Sequence, residues 1–232
     1  MEIRTHHIKK SYKKGHAEVL KDISFAATSG ECIGILGLNG CGKTTLLSCL
    51  AGLIVPDNGD FFVDEQNLFE NDHLIQDLIG YIPQGNPLID DLSAKDNLRL
   101  WYAGSKLEME SELKDGILKM LGINGFADKK VSELSGGMKK RLSIGCAVAN
   151  DPKILLMDEP SASLDIDCKK DIADYITLFK KQGGIVIIAT HEEHEILLCD
   201  RTYLMKDGKL IEYTFTDVGT LTGDLKDETF NA

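Results

Sequence analysis

The chain has 232 residues, 43% hydrophobic and 27% charged, enough to bury a core in one domain or two tightly packed lobes. Its 26 basic and 37 acidic residues leave a net charge of −11, which argues against a broad nucleic-acid surface but leaves a local basic patch open. The longest apolar runs, 32–36 and 185–189, fall far short of the ~20 residues that span a bilayer, and no basic, apolar, small-residue pattern of a secretory signal opens the chain.

Residues 2–7 alternate weakly as a strand, and 19–25 place apolar side chains at Val19, Ile23 and Phe25. Residues 32–36 are unbroken apolar, as in a strand covered on both faces. They run directly into Gly37-Leu38-Asn39-Gly40-Cys41-Gly42-Lys43-Thr44, which fits the phosphate loop G-x-x-x-x-G-K-[ST], and residues 44–50 read as the helix that such a loop requires. A strand at 59–63 follows the turn Pro56-Asp57-Asn58-Gly59. From 87 to 150 the pattern changes. Residues 94–103, 107–121 and 137–149 carry apolar positions at three- and four-residue spacing, which predicts a helical lobe inserted into an α/β core. After Pro152 the α/β pattern returns, with strands at 154–157, 184–189 and 202–205, a helix at 167–181 and a hairpin turn at Lys206-Asp207-Gly208-Lys209. The polar, acidic tail from Thr216 is expected to be loosely held.

The chemistry concentrates in three segments. The glycines of the loop let backbone N–H groups surround a β-phosphate, Lys43 reaches the β/γ oxygens, and the Thr44 hydroxyl can ligand Mg²⁺. Asp158 ends an apolar strand, so its carboxylate falls at the ligand-binding edge of a parallel sheet, where it can hold the Mg²⁺ shell while Glu159 faces the attacking water. Repulsion between adjacent carboxylates favours proton uptake, which suits a general base. Ser135-Gly136-Gly137 opens a helix and forms a second anion site of bare N–H groups, a hydroxyl and a helix dipole, although alone it would be an ordinary cap. The following Lys139-Lys140-Arg141 reads as a solvated stripe. The six cysteines show no C-x-x-C pair and sit mostly in apolar runs as small buried thiols, which fits a reducing cytoplasm. His191-Glu192-Glu193-His194 spaces its histidines at i and i+3, not the i and i+4 of a zinc helix, and His6-His7 in a strand point to opposite faces, so no histidine metal site is expected.

Phosphate loop, Leu134-Ser135-Gly136-Gly137 and the strand end Asp158-Glu159-Pro160, in this order, resemble the ATPase subunit of the ATP-binding cassette (ABC) family, over a stretch from Tyr12 to His191. The resemblance implies a P-loop NTPase (RecA-like) α/β core with an antiparallel β subdomain and an inserted helical lobe. It divides one domain, 1–232, into a core at 1–86 and 151–215, a lobe at 87–150 and a short tail at 216–232. It also implies ATP and Mg²⁺ as cofactors. Tyr12 would stack on adenine; Gly37, Leu38, Asn39, Gly40, Cys41, Gly42, Lys43, Thr44 and Thr45 would hold the phosphates. Gln84, in Tyr81-Ile82-Pro83-Gln84, would touch both Mg²⁺ and the water; Ser163-Leu164-Asp165 would cross to a partner; His191 would contact the γ-phosphate and orient Glu159. Two subunits facing head to tail would close each ATP with the other chain's Ser135, Gly136 and Gly137, in a homodimer or a heterodimer with a similar subunit.

Met138 stands where the family's usual signature has Gln, a feature resembling the branch that exports drugs, peptides, lipids or polysaccharides. Cys41 replaces the commoner Ser or Ala; only its backbone is needed, and bound ATP is expected to shield its thiol from alkylation. The resemblance implies an ATP-hydrolysing motor, cytoplasmic and peripheral on the inner face of the cell membrane, that powers a separate transmembrane permease docked near Gln84. No nucleic-acid partner is expected. A soluble, non-transport ABC ATPase acting in assembly or regulation is the alternative.

Overall fold

A computed structural model describes residues 1–12, 18–162 and 164–214. Ser163 and the tail from Thr216 lie outside the described residues. In chain order the elements are β1 (Glu2–Lys10), β2 (Leu20–Thr28), β3 (Cys32–Leu36), α1 (Lys43–Leu50), β4 (Asn58–Val63), β5 (Gln66–Asn67), α2 (Asp72–Leu78) and β6 (Ile79–Ile82). The middle of the chain supplies α3 (Ala94–Tyr102), α4 (Met109–Asp115), α5 (Ile117–Met120) and α6 (Gly136–Ala147). The last part supplies β7 (Ile154–Asp158), α7 (Ile166–Lys181), β8 (Ile185–Ala189), α8 (Glu193–Ile196), β9 (Arg201–Lys206) and β10 (Lys209–Tyr213).

The strands form one sheet in the order β5-β4-β1-β2-β10-β9-β3-β8-β7-β6. Its first four strands pair antiparallel, and β6, β7, β8, β3 and β9 run parallel. β10, antiparallel to β9, links the two parts through a single parallel pair with β2, Lys209 with Asp22. The parallel strands are covered on both faces. On β7, Leu155 and Met157 join a cluster with Leu98, Leu142 and Ile172, while Ile154 and Leu156 join a second with Ile33, Leu46 and Phe61. This two-sided burial is why β3, β7 and β8 read as continuous apolar runs.

Three expectations change. The helix expected over 107–121 is two helices, because Gly116 leaves helical geometry and the Glu112 carboxylate takes over the capping, accepting from the Ile117 N–H at 2.9 Å. His6 and His7 do not point to opposite faces. β1 carries a bulge between Thr5 and Ile8, His7 has φ 50°, and both rings are exposed. His6 meets Phe62 edge-on, and His7 Nδ1 lies 2.7 Å from Asp22. The Lys139-Lys140-Arg141 stripe is not uniformly solvated: Lys140 is 4% exposed, whereas Lys139 pairs with Asp90 and Arg141 with Asp171. Among the described residues, no helix is long and apolar enough to cross a membrane.

Candidate active site

β3 and β7 flank β8, and the site forms at their carboxyl ends, the edge where such sheets bind ligands. β3 passes into the loop at Gly37. Gly42 adopts φ 116°, and a Cβ there would stand 3.2 Å from both the side chain and the carbonyl of Val19, so the turn into α1 needs glycine. α1 starts with no side-chain cap and no acidic residue in its first turn, which leaves its N–H groups and positive end free for an anion. Lys43 is buried and folds across the loop, donating to the carbonyls of Gly37 at 2.8 Å and Leu38 at 3.2 Å.

A cavity of about 460 Å³ opens over the loop, lined by Asn39, Gly40, Gly42, Lys43, Thr44 and Thr45, by Tyr12 and Val19, and by Gln84 and Glu159. The exposed Tyr12 places its hydroxyl 3.1 Å from Thr45 Oγ1. Cys41 does not line this cavity. Its side chain packs on the apolar cluster of β3 and α1, and its Sγ fills the space where a Cβ on Gly37 would point. Its backbone therefore belongs to the loop, while its thiol belongs to the core.

Asp158 ends β7 almost fully buried, and its Oδ2 accepts from the Thr44 hydroxyl at 2.7 Å. Burial raises its pKa above the ordinary 3.8; the Thr44 hydrogen bond opposes this, the Glu159 charge adds to it, and Lys43 and Lys140 oppose it. Glu159 turns sharply out of the strand with φ 46°, held by its N–H to the Ala189 carbonyl at 2.9 Å. Its carboxylate is gripped from two sides. Gln84 Nε2 donates to Oε2 at 2.9 Å, and His191 Nδ1 stands 3.3 Å from Oε1.

The second anion site expected from the sequence, Ser135-Gly136-Gly137, stands apart from this cavity. Ser135 caps α6, its Oγ accepting from the Met138 N–H at 3.3 Å, and Ser135 and Gly136 are exposed. Gly137 is buried, and Cys168 donates to its carbonyl at 3.5 Å. Asp165 caps α7 by accepting from the Cys168 N–H at 2.8 Å. None of these lines the cavity. The fold thus gathers Lys43, Thr44, Gln84, Asp158, Glu159 and His191 and leaves Ser135, Gly136, Gly137 and Asp165 outside.

Sequence reasoning missed a network behind the strand end. Glu195, buried on α8, accepts from the Ser161 N–H at 2.9 Å and from the Ser161 hydroxyl, which also meets His194 Nε2 at 2.7 Å. The one local signal was the acidic run around His194, Glu192-Glu193-His194-Glu195, and the spacing of its histidine from His191 only argued against zinc.

A phosphate loop between a buried strand and a helix, with a strand-end acid bonded to its threonine and a second acid clamped over its cavity, defines a P-loop nucleoside-triphosphatase. Residues 20–162 match the ABC transporter family. The chain belongs to that family, as an ATP-binding ATPase cassette. It is 36% identical over 206 residues to the Nod factor export ATP-binding protein I of Rhizobium sp. (strain N33), covering 87% of this chain and 67% of that one. It is 32% identical over 226 residues to the linearmycin resistance ATP-binding protein LnrL of Bacillus subtilis (strain 168), covering 95% and 72%. Among solved structures, the fold is similar to the dimeric ATP-binding cassette MJ0796 in a post-hydrolysis state with ADP and Pi, at TM-score 0.82 and 28% identity, covering 93% of this chain and 99% of that one. A nucleotide-free ABC transporter cassette gives TM-score 0.80 at 26% identity, covering 98% and 96%.

Proposed function

We propose that this chain is the motor subunit of an exporter, working as a head-to-tail dimer that closes around two ATP and drives a separate transmembrane partner from the inner face of the cell membrane. In this reading residues 1–86 and 151–215 form the catalytic core and 87–150 the lobe that reaches the neighbouring nucleotide. The observation that carries it is the carboxylate of Glu159, held by Gln84 and His191 beside the cavity that Lys43 enters.

Each residue then has one task. The loop N–H groups from Gly37 to Thr45 and the Lys43 ammonium bind the β- and γ-phosphates, and Tyr12 stacks on the adenine. Thr44 and Asp158 converge two hard oxygen atoms, the donor type that Mg²⁺ prefers, with the Gln84 amide oxygen as a third. Mg²⁺ there would neutralise charge on the β- and γ-phosphates. Glu159 takes a proton from water as the water oxygen bonds to the γ-phosphorus and the bond to the β-phosphate oxygen breaks. His191 holds the Glu159 carboxylate in place and donates to the γ-phosphate. Ser135, Gly136 and Gly137 close the partner's ATP, with Asp165 beside that seam, which gives an exposed cap outside its own cavity a ligand. The export direction rests on Met138 and on the export and resistance roles that the relatives' names carry.

Glu159→Gln tests the core of this reading. The variant should bind ATP as the parent does, lose hydrolysis by about 10²–10⁴-fold and accumulate as a closed dimer on size exclusion. Hydrolysis at the parent rate would remove Glu159 as the base. Co-purification with a membrane protein from native membranes tests the transport role.

A further inference from the structure

Lys140 is a lysine in the wrong place for a surface stripe. It is 4% exposed on α6, five residues past the Ser135 cap, and its Nζ donates to two backbone carbonyls, Pro83 at 2.9 Å and Gln84 at 3.1 Å. Those carbonyls belong to the segment leaving β6, and the side chain of the same Gln84 donates to Glu159. Burial lowers the Lys140 pKa, and the charges of Asp158 and Glu195 oppose that shift. A lysine on a helix ordinarily extends its ammonium to water. Here it crosses from one element to another and satisfies two carbonyls of a loop that carries a functional side chain.

We propose that Lys140 is a positioning residue for hydrolysis: by anchoring the Pro83-Gln84 backbone to α6, it sets the Gln84 amide against Glu159 and makes that contact follow the position of α6. The inference rests on Glu159 being the base. The path is continuous, from the α6 cap at Ser135, through Lys140 and the Gln84 backbone, to the Gln84 amide and the Glu159 carboxylate. When α6 engages the partner's nucleotide, its position is transmitted to the chain's own base. Distributed contacts of this kind carry coupling only if removing the middle one uncouples the ends.

The experiment is a double-variant cycle on steady-state ATP hydrolysis by the full chain, with unfolding midpoints measured in parallel. Lys140→Met keeps the side-chain length and removes the donors. It should lower kcat about tenfold or more, since small misplacements of reacting groups are costly, while KM for ATP stays within about twofold. In a Gln84→Ala background the same change should cost nothing further, because the lysine acts through that residue. Lys140→Arg, which keeps donors for both carbonyls, should recover much of the loss, and Lys139→Met should behave as the parent. If Lys140→Met does not unfold cooperatively, Lys140→Gln replaces it in the cycle. A parent-like kcat in the Lys140 variant, or additive losses with Gln84→Ala, overturns the inference while a dead Glu159→Gln leaves the base assignment standing. A Glu159→Gln protein that hydrolyses normally overturns the base assignment itself.

Discussion

Asp158 and Glu159 are consecutive residues that the fold treats oppositely. Asp158 is drawn into the sheet and bonded to Thr44, and Glu159 is turned out by a left-handed φ of 46°, a value costly for a residue with a Cβ. That turn places two adjacent carboxylates in different environments, one bonded to Thr44 inside the sheet and one held by Gln84 and His191 at the cavity. It also has a thermodynamic consequence. The native pKa of Asp158 lies above 3.8, so its ionised form is disfavoured by folding. The cost is absent below the ordinary aspartate value, grows between 3.8 and the raised native value, and is complete above it. Asp158→Asn should therefore stabilise the ligand-free protein near pH 7, read as a raised Tm, while impairing hydrolysis. The gain should shrink as the pH falls toward 4. Equal melting temperatures at pH 7 would contradict it. At this scale the motif residues were legible because phosphate chemistry needs fixed residue types at fixed spacing. The left-handed Glu159, the buried Lys140 and the Ser161–Glu195 bond were not, since each depends on which elements lie alongside.

At the scale of elements, the two-sided strands β3, β7 and β8 announced themselves, and so did α6 and α7. β6 did not: it is four residues long, contains Gly80, and borrows its stability from β7 on one edge. The glycine is there for contact. A Cβ on Gly80 would come 2.8 Å from the carbonyl of Ala147 at the end of α6, 2.9 Å from Leu155 and 3.0 Å from Pro152. The carbonyl is backbone and cannot rotate away, so α6 can approach β6 this closely only over glycine. Gly80→Ala should cost about 1–3 kcal/mol, read as a lower urea midpoint with an unchanged slope. An unchanged midpoint would show slack between α6 and β6. The split of α4 from α5 was hidden for a related reason. The apolar spacing of 107–121 continues across Gly116, and only the Glu112 carboxylate capping Ile117 reveals the break.

At the scale of the whole molecule, the cavity around Lys43 and the exposed α6 cap at Ser135 and Gly136 do not meet within one chain. Both were legible as anion sites, and their separation within a chain was expected only from the family resemblance, because sequence order does not say which end of a helix faces which cavity. Mixing two disabled chains distinguishes a shared site from a private one. Lys43→Ala removes the phosphate grip. Gly136→Arg blocks the cap, and a Cβ there points into open space among the described residues, with nothing beyond its own helix turn within 4 Å. Each homodimer should be inactive. In the mixed dimer one composite site carries both lesions and the other carries neither. With random pairing, half the dimers are mixed and each has one sound site of two, so an equimolar mixture should recover up to about a quarter of the parent rate if the sites turn over independently. Sites confined to one chain would instead leave the Gly136→Arg homodimer active by itself, because the cap lies outside that chain's own cavity.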